Sequence, residues 1–568
     1  MTELRTQSRI THHVSRFTFS PRLALLAILL LALALRAAPL TDHRFHEDEA
    51  LYASWALLTT EDPALISVPV DKPPLHIYLL AGLFRLLGPT EAVARLPNLW
   101  ASVLSVAMVY AIGGRAYDRP TALMAALLYA ASPFAILFAS TAFTDPLLVL
   151  WMLLGLWAAL ARKPLLAGLA LGLAYATKQQ AVLLVPLVVA MSICEVRELR
   201  GLREGKETTE RREMRRPPSK LQPPTSNIQY SIPNLLLRLL AGFLPLFALV
   251  TWWDSLRWHV QPSFWDRSLT TYGGLELLPP SAWPERLAGW AKLLSYVFAS
   301  PSLNAIMLIG LPILLWLAIR PHAQRFTFHV SRFTFHASRI THYDLLLVIY
   351  VIAYLFLHLA ISFQVWDRYL LPLAPLLCLL LARLIRQAMA FAQSVTHHAS
   401  RFTFYVSRLL IGSLLILLIR PAYLGTTSQL PIGGDHGAYE GIDQLAAYVQ
   451  AHLPPEARLY YHWLGWHYGY YLRDASPERT WYPDPESLAE QAAAAPAAVR
   501  AIAFPAWKDD QPVRQALAAR GLTLVPQYAT YRHDGGPSFA LYLIETTDHA
   551  ETVSVKSVVE NRSTGGER

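Results

Sequence analysis

Three consecutive carboxylates, Glu47, Asp48 and Glu49, stand in HEDEALY, just beyond the first long apolar stretch of the chain. A carboxylate beside a bound hydroxyl can take its proton, so this cluster is a candidate for general-base chemistry. Four further polar outcrops interrupt apolar sequence: VDKPPLHIY with Lys72 and His76, STAFTDPLL with Asp145, ATKQQ with Lys178, and VWDRYLLPLAP with Asp367, Arg368 and Tyr369. Singly, each has an ordinary explanation. Asp145 can cap a helix or pair with a lysine, and Lys72 can snorkel. Ionisable groups at membrane depth are costly, however, and acids and bases gathered on one face imply a polar cavity there. His46, Glu47 and His76 could supply metal ligands, but their spacing matches no specific motif; a divalent metal is compatible with the reading and is not assigned.

The elements that must position these groups are membrane helices. The chain has 568 residues, of which 54% are hydrophobic and 16% charged, with a mean hydropathy of +0.30. That is too apolar for a soluble enzyme of this size. A bilayer core of ~30 Å takes ~20 apolar residues per helix. Eleven stretches near that length are expected to span, at 22–40, 92–112, 121–140, 143–160, 164–176, 181–194, 233–251, 302–319, 344–361, 370–385 and 407–419. Two more, 73–88 and 286–300, carry internal basic residues and aromatics and read as helices lying in the interface.

Loop charge sets the orientation. The segment EVRELRGLREGKETTERREMRRPPSK holds nine Lys and Arg and falls on the same side as the basic N-terminus, GGRAYDRP and ARKP, opposite the acid-rich 42–72 segment. By the positive-inside rule the N-terminus is cytoplasmic, and the carboxylates and the C-terminal region lie outside the cell membrane. The net charge of +9 then belongs to loops and not to a nucleic-acid surface. Cys194 and Cys378, both within apolar stretches, offer neither a disulfide framework nor a thiolate metal site.

A repeated unit, SRITHHVSRFTF near the N-terminus, RFTFHVSRFTFHASRITH from Arg325 and THHASRFTFYVSR from Thr396, falls on the cytoplasmic side each time and reads as a basic, dispensable insertion. The expected organisation is a basic cytoplasmic N-terminus at 1–21, a multi-span domain at 22–421 with a first outer loop at 41–91, an extracytoplasmic α/β domain at 422–547, and a disordered tail at 548–568. In the α/β domain, YEGIDQLAAYVQAHLPPEARLYYHWLGWHYGYYL reads as helix then strand. Its aromatic run suits either sugar stacking or a membrane surface.

The ordered set EDEALY, DKPPL, ARLPNL, FTDPLLVLW, GLALGLAYATKQQ and RYLLPLAPLL resembles the GT-C superfamily, of the protein O-mannosyltransferase and lipid A aminoarabinose transferase type. The resemblance covers about 22–385 and not the C-terminal domain. It implies a glycosyltransferase that takes a sugar from a polyprenyl-phosphate carrier at the outer face, the lipid-linked sugar being its donor substrate, and passes it to a protein, lipid or glycan acceptor. It implies that Asp48 is the catalytic carboxylate with Glu49 completing the pair. Lys72, Arg368 and Tyr369 would contact the carrier phosphate, and Asp145 and Lys178 would line the cavity, where His76 is also expected. The His46-Glu47 prefix and the Lys-Gln-Gln sequence depart from the family pattern.

Adjacent side chains project differently, so Asp48 and Glu49 cannot easily flank a sugar as a hydrolase pair does, and one base acting by inverting direct displacement is the expected mechanism. The alternative from another class is a secondary transporter with a charged outer cavity, which calls for discontinuous helices in two related halves. A scaffold whose charges are only ion pairs is a third reading.

Overall fold

The computed structural model describes residues 20–197, 231–319, 342–395, 400–434, 436–475, 477–495 and 499–547. The N-terminal and 325–341 copies of the SRFTF unit, the basic loop from 198 and the expected disordered tail lie outside the described residues; the third SRFTF copy runs into the start of a helix at Ser400.

The chain opens with α1 (Pro21–Ala37), then α2 (Glu47–Leu58), α3 (Leu75–Leu87) and α4 (Glu91–Ala116). Next come α5 (Arg119–Ala130), α6 (Pro133–Ala139), α7 (Asp145–Leu160) and α8 (Pro164–Thr177). Each of these four has proline in its first turn, where the missing N–H has no helical partner to lose. α9 (Gln179–Arg197) opens as a 3-10 turn, and α10 (Ile232–Ser255) follows. α11 (Phe264–Thr271) and α12 (Trp283–Ser295) lead to α13 (Pro301–Ile319), α14 (His342–Ala360), α15 (Leu373–Val395) and α16 (Ser400–Thr426).

Each of the eleven expected spans falls on helix. Among the described residues, five helices are long and apolar enough to cross a membrane by themselves: α4, α9, α10, α14 and α15. The stretch expected as one span at 121–140 is instead two helices, α5 and α6, bent by 55°. Pro133 cannot continue the hydrogen-bond ladder, and the break frees carbonyls that water cannot reach. Arg36 satisfies them. Its fully buried guanidinium donates to Ala130 O at 2.9 Å and Tyr129 O at 3.1 Å, and its Nε donates to Ser102 Oγ at 2.7 Å. α10 presents Leu237, Leu240, Leu244, Leu249 and Trp252 outward, an apolar surface suited to lipid.

The C-terminal region forms a five-stranded sheet. Its strands are β1 (Arg458–Tyr461), β2 (Glu478–Trp481), β3 (Arg500–Pro505), β4 (Leu522–Tyr531) and β5 (Pro537–Thr546). The order is β2-β1-β3-β5-β4, with β1 parallel to β2 and β3, and β5 antiparallel to β3 and β4. Helices α17 (Ile442–His452), α18 (Gly465–Tyr471), α19 (Pro485–Ala493) and α20 (Gln511–Ala518) complete the unit. The aromatic run expected as strand is strand only to Tyr461, and GWHYGYY is α18. Packing overrides β propensity here: as a helix the segment buries His467, Tyr468 and Tyr470. Ser54 Oγ of α2 donates to Trp466 O at 2.9 Å, and the His467 ring meets Phe45 O at 3.0 Å.

Candidate active site

Asp48 lies in the first turn of α2, and the residues around it fix where it points. His46 is the N-cap: its Nδ1 accepts from Asp48 N at 3.1 Å, while Glu49 Oε2 accepts from His46 N at 2.9 Å. This reciprocal capping box is the role of the His46 prefix. The two neighbouring carboxylates then diverge. Glu49 is only 2% exposed and turns into the wall, where Arg95 Nε donates to it at 2.9 Å and Ala142 N at 2.8 Å. Asp48 turns the other way and accepts a hydrogen bond from Arg368. Burial pushes the Asp48 carboxyl up, but the Arg368 guanidinium, with His46, Lys72 and the Arg368 hydrogen bond behind it, holds the carboxyl down at about 2.

Arg368 is gripped in turn. Its guanidinium lies 4.2 Å from the Trp366 ring centre and 5.7 Å from that of Phe143, a cation–π arrangement. Asp367 beside it accepts from Arg368 N at 2.7 Å and from Gly433 N at 2.7 Å, tying the segment after α16 to the site.

Lys72 opens the KPP turn before α3 and is buried. Its Nζ donates to Asp71 Oδ2 at 2.5 Å and to Tyr272 OH at 2.9 Å, and Tyr272 OH donates to Asp71 Oδ2 at 2.8 Å. Burial and the Asp71 carboxylate push the Tyr272 hydroxyl far up, so it stays a donor. Asp71 Oδ1 is buried and has no hydrogen-bond partner among the described residues. Gln179 Nε2 donates to Asp71 O at 2.6 Å, joining this trio to the start of α9.

Asp145 is the first residue of α7, where the positive helix end favours a carboxylate. Lys178 Nζ donates to its Oδ1 at 2.6 Å and lies 5.2 Å from the Tyr369 ring centre. Tyr354 OH donates to Tyr369 O at 2.6 Å and accepts from Gln180. Five distant segments are thereby brought together, carrying Asp48, Lys72, Asp145, Lys178, and Arg368 with Tyr369. His76 is fully buried, its Nε2 2.7 Å from Ala142 O and its ring edge-on to Tyr52, so it packs beneath α2 and does not line an open cavity. Among the described residues no group of three or more His, Cys, Asp or Glu side chains is placed to hold a metal ion.

Asp71, Tyr272 and Arg95 are additional polar members of the site and its wall. Asp71 and Arg95 stand inside the DKPPL and ARLPNL motifs, where their charge in apolar sequence was a usable signal. Tyr272 carries no such mark.

Residues 71–202 match the family model for dolichyl-phosphate-mannose-protein mannosyltransferases. ArnT from Cupriavidus metallidurans bound to undecaprenyl phosphate is similar in structure, with a TM-score of 0.54 and 18% identity over 92% of this chain and 97% of that one. The fold is that of the GT-C glycosyltransferases. The apo form of the same ArnT matches with a TM-score of 0.55 and 17% identity over the same shares of the two chains. The apo oligosaccharyltransferase of Archaeoglobus fulgidus matches with a TM-score of 0.51 and 12% identity, over 86% of this chain and 70% of that one. No curated protein matches this chain. The resemblance read from the ordered motifs, and the transferase class it implies, are borne out at the level of the GT-C fold.

Proposed function

We propose that this GT-C protein transfers a sugar from a polyprenyl-phosphate carrier to an acceptor hydroxyl at the outer face of the membrane, with Asp48 as general base. The observation that carries the reading is the Asp48–Arg368 pair at the meeting point of five segments that also bring Lys72, Asp145, Lys178 and Tyr369. The carrier class is drawn from the fold neighbour that holds undecaprenyl phosphate.

In the reaction the acceptor oxygen forms a bond to the anomeric carbon as the bond from that carbon to the phosphate oxygen breaks. Asp48 takes the acceptor proton, and the electron pair leaves with the carrier phosphate. Lys72 and Arg368 neutralise that charge as it develops. One base and a direct displacement give inversion at the sugar. Glu49 is a positioning residue: it holds Arg95, the cap of α2 and the Ala142 turn, so its effect on chemistry passes through the direction of Asp48.

Arg368 has a second consequence. While it is paired with Asp48, the carboxylate is a poor base. A carrier phosphate that draws Arg368 away raises the basicity of Asp48 when the donor is in place.

Substitution separates these roles. Asp48→Asn keeps size and polarity and is expected to lower the single-turnover rate by ~10²-fold or more with carrier affinity nearly unchanged. Lys72→Ala is expected to weaken carrier affinity as well, because the phosphate is charged before reaction begins. Near-normal turnover in Asp48→Asn, measured beside undecaprenyl-phosphate binding, sinks the assignment of the base.

A further inference from the structure

The outer α/β unit carries three tryptophans on its surface: Trp463, Trp481 and Trp507 are 47%, 54% and 44% exposed. All three leave the sheet at one edge. Trp481 ends β2, Trp463 follows the end of β1, and Trp507 follows the end of β3. These strands are parallel neighbours in the order β2-β1-β3, so their carboxyl ends lie side by side. Open α/β sheets take their ligands outside that edge, where chain reversals leave a crevice.

The edge is continuous with the catalytic mouth. α18 leaves β1 there and packs on α2, whose first turn holds Asp48. Trp507 meets the Tyr439 ring at 5.2 Å, and Tyr439 meets the His46 ring at 6.4 Å. Lys508 Nζ lies 3.6 Å from the Trp463 ring centre, and its charge acts on Glu47, the exposed neighbour of Asp48. His462 lies between two of the tryptophans, 4.4 Å from Trp463 and 6.3 Å from Trp481.

Tryptophans near a membrane often form a headgroup belt. Here the rings are interleaved with His462 and Lys508, and the row continues inward through Tyr439 to the site. Flat apolar faces with charged and imidazole groups at their edges match a pyranose, whose C–H face stacks on an indole while its hydroxyls hydrogen-bond beside it.

We propose that this edge binds the carbohydrate part of the acceptor, so that the acceptor is a glycan or a sugar-bearing lipid. The inference rests on the transferase reading above. Its test uses the full chain in nanodiscs over an immobilised oligosaccharide array, with undecaprenyl-phosphate binding measured in parallel. The wild type is expected to retain a subset of the oligosaccharides, and Trp463→Ala/Trp507→Ala to weaken that subset by about tenfold or more with carrier binding unchanged. Trp481→Ala alone, at the far end of the row, should weaken it less. An array on which the wild type binds no better than the double variant overturns the inference. So does quenching of these tryptophans by brominated lipids, which would make the edge a bilayer anchor. Absence of carrier binding in the wild type would instead overturn the transferase reading itself.

Discussion

Arg368 sets the chemical state of the site through one contact. It is the largest influence, ahead of His46 and Lys72, that holds the Asp48 carboxyl at about 2 against burial. The sign of a substitution follows. In the wild type Asp48 stays ionised as pH falls through the ordinary carboxylate range, so kcat/KM should show no acid limb from this group above about pH 4. Arg368→Gln removes the largest of the groups that oppose burial and leaves His46 and Lys72, so the Asp48 pKa rises from its wild-type position. The residual kcat/KM of that variant should then fall through an acid limb that lies at higher pH than in the wild type. A pH profile of the variant as flat as that of the wild type would mean that another group is the base. Much of this site was legible because a charge in apolar sequence is conspicuous: Asp48, Lys72, Asp145, Lys178 and Arg368 all stood out that way. The division of labour between Asp48 and Glu49 was only partly legible. Sequence adjacency implied that the two diverge, but the partner that captures Glu49, Arg95, comes from another helix. Tyr272 was not legible, since an aromatic residue in a loop between apolar segments has nothing to distinguish it until the fold brings it to Lys72.

At the scale of elements, the crossing of α8 and α10 depends on two glycines. A Cβ on Gly168 would meet Leu239 O at 1.9 Å, and one on Gly242 would meet Leu165 O at 2.1 Å, so backbone lies directly on backbone. Without a hydrophobic drive between helices in lipid, this close approach is a main source of their attraction. Gly168→Ala is therefore expected to force α8 from α10 and cost about 3 kcal/mol or more, despite the better helix propensity of alanine. Gly82→Ala in α3 is the matched control, because its Cβ would meet nothing within 4 Å; there the propensity gain of about 1 kcal/mol should appear undiminished. Thermal unfolding of both variants in the same detergent reads the difference, and equal effects would show that the crossing is not tight. Lys178 follows α8 directly, so displacement of that helix should also reach the Asp145 pair. The spans themselves were legible from apolar length. Two elements were not. Hydropathy does not register the bend at Pro133, whose freed carbonyls are satisfied by Arg36 from another helix. Nor does an aromatic run reveal that its burial partner is α2, which is what makes α18 a helix.

Across the whole molecule, the contacts of α18 with α2 put the C-terminal unit and Asp48 on the same side of the membrane whichever side that is. At the far ends of the helices stand other pairs: Arg162 with Glu195 at 3.0 Å, Arg383 with Asp344 at 3.4 Å and Arg386 with Asp118 at 3.6 Å. The side is then an expectation from loop charge, since the basic 195–220 segment continues from the end carrying Glu195. Two introduced thiols test both statements in a variant with Cys194 and Cys378 replaced. Asp474→Cys reports on the C-terminal unit, where the Asp474 side chain is 79% exposed. Gly205→Cys reports on the basic loop. In sealed right-side-out vesicles an impermeant maleimide is expected to label position 474 and to reach position 205 only after detergent is added. Labelling of position 205 alone before detergent would invert the orientation and move Asp48 to the cytoplasmic face, where a carrier sugar displayed outside could not meet it. The coupling of the two positions is the stricter part of the test: with the vesicles shown to be sealed, labelling of both before detergent is incompatible with a fold in which α9 carries the chain from the Lys178 end of the bundle to the Glu195 end.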